Sequence, residues 1–251
     1  MKYCLSFLML MLTACQTSVI ERHVATPSVR EGLSRPTPAF PIISISGLTG
    51  PVPDISRSGE LSSHFEKLVF ELEDDGKDQY VRKWVDDIRY RLDTDRPIRA
   101  HVENATDILW KITGIKATIS ADTGGKENLT IVTRPGRNTD IHCYGTVYSR
   151  DADKVIVFTE LFVGSKFPGH LLGECVLEEL SQSLGPMNDV TTIRDTMWRP
   201  YELKTYDSLT WSDAVILRTL YDERIRPGMH RDVAMPIVRV IIAELLDELN
   251  R

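Results

Sequence analysis

The chain has 251 residues, of which 42% are hydrophobic and 26% charged, and its formal net charge is −6. This composition is ordinary for a globular protein and excludes a wholly disordered chain. The acidic balance disfavours nucleic-acid binding, which usually needs a basic surface, so no nucleic-acid partner is expected. No run of about 18 apolar residues occurs, which excludes a multi-pass membrane protein.

The first fifteen residues have the layout of a bacterial export signal. Lys2 supplies a positive charge, and 5–12 form an apolar stretch too short to span a bilayer. The run Leu12-Thr13-Ala14-Cys15 resembles a lipobox, which implies cleavage before Cys15 and its lipidation, including palmitate. Gln16 instead of Asp implies an outer-membrane lipoprotein facing the periplasm, anchored to the membrane by its acyl chains. An ordinary signal peptide or an uncleaved anchor is the alternative.

The sequence divides into three segments. Residues 1–14 are the predicted signal peptide, 15–57 are the lipidated Cys15 and a tether, and 58–251 form the predicted domain. Six of the 13 prolines lie within 16–57, which indicates an extended segment with little packing. Only its end, 42–46, has the composition to join the fold as a short strand.

Two cysteines, Cys143 and Cys175, remain beyond the signal and the lipidation site. An even pair in an exported protein predicts a disulfide bond. Two buried free thiols are the alternative. A metal site that adds His142 to the two cysteines is less favoured, because ligand pairs normally lie two to four residues apart.

Hydrophobic periodicity predicts an α+β domain with a small mixed sheet. Helices are expected over 59–73, 97–113, 169–184, 211–222 and 232–250. Strands are expected over 88–92, 115–121, 129–133 and 154–159. The turn sequence at 122–125 predicts that the second and third of these strands form a hairpin.

The helix predicted over 169–184 has two distinct faces. Its apolar face consists of Leu172, Cys175, Val176, Leu180 and Leu184. Its opposite face, the polar stripe, consists of Glu174, Glu178, Ser181 and Gln182, with Glu179 beside it. Gly185 follows and is expected to end the helix.

This segment resembles the H-E-x-x-H motif of zincins, in which two histidines bind zinc and the glutamate is the general base. The resemblance puts Glu179 at the base position and Glu178, Gln182 and Asn188 at the three ligand positions. Met197 lies about where matrixin-like enzymes place the methionine of their turn. The resemblance therefore implies a degenerate metzincin-like domain with an edge strand, a motif helix and C-terminal helices.

The segment from Ser208 to Tyr221 also resembles the C-terminal helix of matrixins, with Thr210 and Asp213 as a capping box. A closer similarity is to the uncharacterised bacterial family called domain of unknown function 2927, which has no settled activity. Its two characteristic segments correspond to 178–189 and 220–229 in this chain, and the similarity covers roughly 80–245. This similarity implies the fold of the domain, and it implies little about function because the family has no settled activity.

The ligand positions decide which cofactor is expected. Amide oxygens are weak zinc ligands, so zinc is doubtful. The oxygen donors of Glu178, Gln182 and Asn188 suit Ca²⁺ or Mg²⁺, so an oxygen-liganded divalent cation is the alternative. Two further interpretations stay open: clustered carboxylates that tune a general acid or base, and a solvated acidic face on a fold that has lost catalysis.

The favoured function is a non-catalytic binding or accessory module of the cell envelope, with an envelope protein or peptide as its partner. An edge strand near 154–159 is expected to hold an extended peptide by strand addition. The alternative is a hydrolase acting on peptide or peptidoglycan, with Glu179 as its general base.

Overall fold

A computed structural model describes residues 18–19, 41–71, 79–120, 127–133, 142–200 and 207–251. Over these residues the helices are α1 (Ser58–Phe70), α2 (Arg99–Thr113), α3 (Leu172–Gln182), α4 (Trp211–Leu220) and α5 (Arg231–Leu249). The strands are β1 (Ser18–Val19), β2 (Ile88–Asp93), β3 (Ala117–Ile119), β4 (Leu129–Val132), β5 (Cys143–Ser149) and β6 (Ile156–Val163). The predicted α+β class is confirmed. Within the described ranges, no helix has both the length and the apolar character needed to cross a membrane.

All five predicted helices are present, with ends that differ by a few residues. A short 3₁₀ turn, Gly169–Leu171, precedes α3, so the regular helix begins later than predicted. The predicted capping box of α4 is confirmed, because Thr210 accepts from the Asp213 amide and Asp213 accepts from the Thr210 amide. The helices could be predicted because the apolar residues of a helix recur with a 3.6-residue period within the helix itself.

The sheet has the strand order β1-β5-β6-β4-β2-β3, and β5 is antiparallel to β6. The predicted hairpin is wrong, because β3 and β4 lie on opposite sides of β2 and each runs parallel to it. All four side chains of β4 are buried. A strand buried on both faces belongs inside a sheet, and the local turn sequence carried no information about that.

The predicted edge strand is also corrected. The strand at Ile156–Val163 lies between β5 and β4, so both of its edges are already paired. Strand addition at 154–159 is therefore excluded. The sequence prediction missed β5, in which buried and half-buried residues alternate from Cys143 to Ser149.

The end of the proline-rich segment packs onto the domain. Ile42 and Ile45 belong to the core; Ile42 begins a 3₁₀ turn, Ile42–Ser44, and Ile45 follows it, where the sequence had suggested a short strand. Thr49 exchanges backbone hydrogen bonds with Leu209 and Trp211, at 2.9 and 3.1 Å. Residues 41–57 therefore contribute buried surface next to α4 and α5.

The helices form two groups, and their packing determines the position of α3, which carries the candidate site. Helices α2 and α3 pack on each other, and α3 packs on β5 and β6. Helices α1, α4 and α5 pack together as a second layer, and α2 contacts α4. One continuous core joins the two groups. Helix α3 thus has the sheet on one side, which leaves its polar stripe facing the segment that follows it.

Candidate functional site

A disulfide bond fixes α3 to the sheet. Cys143 at the start of β5 is bonded to Cys175 in α3, with their Cα atoms 6.1 Å apart, which confirms the predicted pairing. The bond closes a loop with a sequence separation of 32 residues. It links the antiparallel strand directly to the helix that carries the motif.

We expect the double variant Cys143→Ser/Cys175→Ser to lose about 3–4 kcal/mol in free energy of unfolding, because the unfolded chain regains loop entropy. Urea unfolding of the variant and of the wild type measures this difference. Reduced wild-type protein should match the variant. Equal stability of oxidised wild type and variant would show that the bond contributes nothing.

The polar stripe of α3 is mostly buried. Glu178 and Glu179 are each 2% exposed, Ser181 and Gln182 are fully enclosed, and only Glu174 remains half-buried. The interpretation of a solvated acidic face is therefore wrong. The sequence could not reveal this, because the residues that contact the stripe, Asp189 and Trp198, belong to the segment after the helix.

The three predicted ligand positions have different surroundings. Gln182 donates from Nε2 to Oδ1 of Asp189 at 2.8 Å. Asn188 instead donates from Nδ2 to the Lys67 carbonyl in α1, at 3.3 Å. Asp189 is the last residue of the family segment 178–189, and no role was predicted for it. Within the described part of the chain, no group of three or more His, Cys, Asp and Glu side chains is arranged to hold a metal ion.

Gly185 makes the turn that ends the motif. Its φ is +133°, a conformation that residues with a side chain rarely adopt. A Cβ there would lie 2.6 Å from the Arg82 carbonyl oxygen and 2.7 Å from Leu220 Cδ2. The predicted helix-ending glycine is thus required both by backbone conformation and by space.

The carbonyls at the end of α3 are bound by distant side chains. Trp84 donates from Nε1 to the Ser183 carbonyl at 3.0 Å, and Tyr221 donates from its hydroxyl to the Leu184 carbonyl at 2.8 Å. The last carbonyls of a helix have no partner within it. These two bonds allow the end of α3 to be buried.

The turn around Met197 joins α3 to α4. Met197 and Trp198 are fully buried. Trp198 donates from Nε1 to Oγ of Ser181 at 2.8 Å, and Ser181 donates to the Glu178 carbonyl at 2.8 Å. The turn therefore covers part of the polar stripe.

Asp213 holds the same turn from the side of α4. Its carboxylate accepts from Oγ1 of Thr196 at 2.5 Å, from the Met197 amide at 3.0 Å and from the Thr210 amide at 2.9 Å. Burial raises the pKa of Asp213 to about 6, although these hydrogen bonds act in the opposite direction. One carboxylate thus caps α4 and fixes the Met197 turn.

Helix α1 runs along the segment between Gly185 and Met197. The Leu68 carbonyl accepts from the Met187 amide at 2.9 Å. Arg57 donates from both terminal nitrogens to the Asp195 carboxylate, at 2.5 and 2.8 Å. Ser212 also donates to that carboxylate, at 2.6 Å. The segment is therefore held at one end by α1 and at the other by Arg57, the residue just before α1.

Sequence reasoning overlooked His64, which lies between those two attachments. Nδ1 of His64 is 2.9 Å from Oγ1 of Thr192, and its Nε2 is buried without a hydrogen-bond partner in the structure. Burial lowers the pKa of His64 to about 3; nearby Asp195 opposes the shift, whereas Arg57 and Lys67 support it. His64 is therefore neutral in the folded protein.

This pKa shift predicts an acid-dependent loss of stability. The unfolded chain binds a proton at His64 below pH 6.5, whereas the folded chain does not until about pH 3, so the stability contribution is present above pH 6.5 and is lost as the pH falls. Wild type should lose about 2 kcal/mol more than His64→Gln between about pH 7.5 and about pH 5. Urea unfolding of both proteins at the two pH values measures the difference, and parallel losses would refute a neutral buried His64.

Lys83 was also missed. Its Nζ donates to the carbonyls of Leu220 at 2.9 Å, Asp222 at 3.3 Å and Ile225. Burial lowers the pKa of Lys83 to about 7, and the Asp222 carboxylate opposes the shift. The lysine therefore binds the last carbonyl of α4 and two carbonyls of the turn that follows it. The last carbonyls of a helix have no partner within it, and a cation there is favourable.

A comparison with known protein families finds a match that covers most of the site described above. The family described as "Protein of unknown function (DUF2927)" matches residues 58–240. The match includes α3, the Met197 turn and α4. No curated protein matches the chain.

Proposed function

The chain belongs to the DUF2927 family, and we propose that it is a non-catalytic binding or accessory module of the bacterial cell envelope. The observation that carries this proposal is the burial of the polar stripe of α3. Gln182 binds Asp189, and Ser181 accepts from Trp198, so these polar groups stabilise the segment that follows the helix. A hydrolytic site, in contrast, must present its polar groups to a substrate.

A degenerate metzincin-like fold is supported by the order of elements. An antiparallel strand, β5, is bonded through Cys143 to the motif helix. The helix is followed by Gly185 and by the buried turn at Met197. We propose that Glu178, Gln182 and Asn188 occupy former ligand positions in such a fold.

We propose a lipid anchor at Cys15, which lies outside the described residues. The lipobox-like run before Cys15 supports this, and Gln16 supports the outer membrane, facing the periplasm, as the location. Metabolic labelling with an alkyne analogue of palmitate should modify the wild type and not Cys15→Ser. A labelled Cys15→Ser protein, or an unlabelled wild type, would overturn the anchor.

The hydrolase with Glu179 as general base remains the second candidate. Its specific support is that Glu179 occupies the base position of the motif-like segment in α3. Peptide and peptidoglycan hydrolysis should be measured for the mature protein and for Glu179→Gln. The non-catalytic proposal expects identical background rates, and hydrolysis that disappears in Glu179→Gln would overturn it.

A divalent cation is the cofactor that the donor set would accommodate. Gln182 and Asn188 donate from their amide nitrogens to Asp189 and to the Lys67 carbonyl, and the ligand atom of an amide side chain is its oxygen. Oxygen ligands of this kind suit Ca²⁺ or Mg²⁺. Elemental analysis of protein purified without chelator tests this: stoichiometric calcium or magnesium would support the oxygen-donor set, and stoichiometric zinc would contradict it.

A further inference from the structure

The first strand of the sheet lies very close in sequence to the proposed lipid anchor. β1 consists of Ser18 and Val19, which pair in parallel with Thr146 and Val147 of β5. Cys15 precedes β1 by three residues. A polypeptide spans at most about 3.6 Å per residue, so the Cα atoms of Cys15 and Ser18 are no more than about 11 Å apart. Acyl chains on Cys15 would therefore hold β5 close to the membrane surface.

The direction of the strands determines which edge of the sheet is nearest to the anchor. Because β1 is parallel to β5, the chain enters β1 from the end at which β5 begins, at Cys143. Cys143 pairs with Val163, the last residue of β6, and both β4 and β2 run parallel to β6. The carboxyl edge of the sheet thus consists of the ends of β2, β4 and β6 and the beginning of β5. This edge is the one nearest to Cys15.

The proline-rich segment does not lengthen this connection. All six of its prolines follow β1 in the chain: Pro27, Pro36, Pro38, Pro41, Pro51 and Pro53. Only Gln16 and Thr17 separate the lipidation site from β1, which belongs to the sheet. A connection of this length keeps the domain against the membrane, whereas the tether predicted over 15–57 would let the domain move away from it.

The loops of the carboxyl edge are bonded to one another. Arg96, in the loop after β2, donates from Nη1 to the Ser165 carbonyl at 2.6 Å and from Nη2 to the Phe167 carbonyl. Both acceptors lie in the loop after β6. The Gly164 amide donates to the His142 carbonyl at 2.9 Å, which joins the end of β6 to the residue before β5. The edge therefore presents a surface of fixed shape.

Charge does not select an orientation of this edge. Lys166 and Arg99 are exposed there, and so are Asp93 and Asp95. Two cations beside two carboxylates give little net attraction to anionic lipid. The position of the anchor is therefore the only argument for the orientation, and it applies to neutral and anionic membranes alike.

We infer that the domain lies directly on the bilayer, with the carboxyl edge of the sheet against the lipid headgroups. The inference rests on the lipid anchor proposed at Cys15. It also places the turn that ends α3 on the side away from the membrane. Gly185 lies against the Arg82 carbonyl, and Arg82 donates to Oγ of Ser149 at the far end of β5. An envelope partner would reach the protein from that side.

Photocrosslinking to lipid tests the orientation. The full-length lipoprotein, with benzoylphenylalanine in place of Lys166 or of Asp86, is reconstituted in vesicles of phosphatidylcholine or of an equimolar mixture with phosphatidylglycerol. Asp86 is exposed just before β2, at the opposite edge of the sheet. Because the two edges are about 20 Å apart, we expect about tenfold more lipid adduct from position 166 than from position 86, in both kinds of vesicle. Asp95 provides a second position at the carboxyl edge should the Lys166 variant fail to fold.

Two insertions test whether β1 sets the distance from the membrane. The same flexible Gly-Ser segment of about 20 residues is inserted either between Gln16 and Thr17 or after Thr26. The first insertion precedes β1 and should reduce the adduct at position 166 severalfold, because such a segment spans about 25 Å on average. The second insertion follows β1 and is the matched control, so it should leave the adduct unchanged.

Three results would overturn the inference: equal adducts from positions 166 and 86, equal effects of the two insertions, or adducts that form only with phosphatidylglycerol. Each of them, in a lipoprotein that incorporates the palmitate analogue, leaves the anchor intact and removes only the orientation. A wild-type protein without that label would instead remove the anchor, and the orientation with it.

Discussion

Gly185→Ala is expected to lower the free energy of unfolding by about 4–6 kcal/mol, one of the largest effects of any single substitution in this chain. The new Cβ would require a backbone conformation of φ +133° and would lie 2.6 Å from the Arg82 carbonyl oxygen. That oxygen belongs to the backbone and cannot move aside as a flexible side chain can. Urea unfolding of the variant measures the effect.

Gly59→Ala provides the matched control. Gly59 lies in the first turn of α1, and nothing lies within 4 Å of the position that its Cβ would occupy. Alanine there should stabilise the protein by roughly 0.5–1 kcal/mol, because it restricts the unfolded chain. Similar effects of the two substitutions would show that the turn after α3 is not built as described.

Asp213→Ala should cost about 4–5 kcal/mol, because it removes a helix cap and leaves the Met197 amide, the Thr210 amide and the Thr196 hydroxyl without their acceptor. These donors are buried, so water does not replace the carboxylate. Chemical denaturation measures the loss of stability. Near-ultraviolet circular dichroism, which is sensitive to the packing of Trp198, should change as well.

Asp213→Asn tests the same account more finely. Its amide oxygen can still accept from the two backbone amides, and its NH₂ group can donate to Thr196. We therefore expect it to retain more than half of the stability lost in Asp213→Ala. An Asn variant as unstable as the Ala variant would show that the negative charge, and not the set of hydrogen bonds, holds the Met197 turn.

The sequence was sufficient for the helices and for the disulfide bond. Helical periodicity is a local property, so α1 to α5 were predicted within a few residues. The pairing of Cys143 with Cys175 followed from there being two cysteines beyond the predicted export signal and lipidation site. Gly185 and the capping box of α4 were likewise marked by residue types with a strong positional preference.

Sheet neighbours and burial were not predictable in the same way. The partners of β3 and β4 depend on β2, which precedes them by a whole helix, so the local turn sequence led to a false hairpin. A solvated polar stripe stayed open as an interpretation because Trp198 and Asp189, which contact the stripe, belong to a later segment. His64 and Lys83 are single polar residues whose roles arise only from contacts distant in sequence.

The central claim is that the buried polar groups of α3 stabilise the fold and do not catalyse a reaction. The most direct test is urea unfolding of Gln182→Leu, Glu178→Gln and Glu179→Gln side by side. Gln182→Leu should lose about 2 kcal/mol, because it removes the hydrogen bond to Asp189, and Glu178→Gln should also be less stable than the wild type. Glu179→Gln should change the free energy of unfolding by no more than Glu178→Gln and Gln182→Leu do. A Glu179→Gln protein as stable as the wild type, or more stable, that has lost a hydrolytic activity would contradict the account.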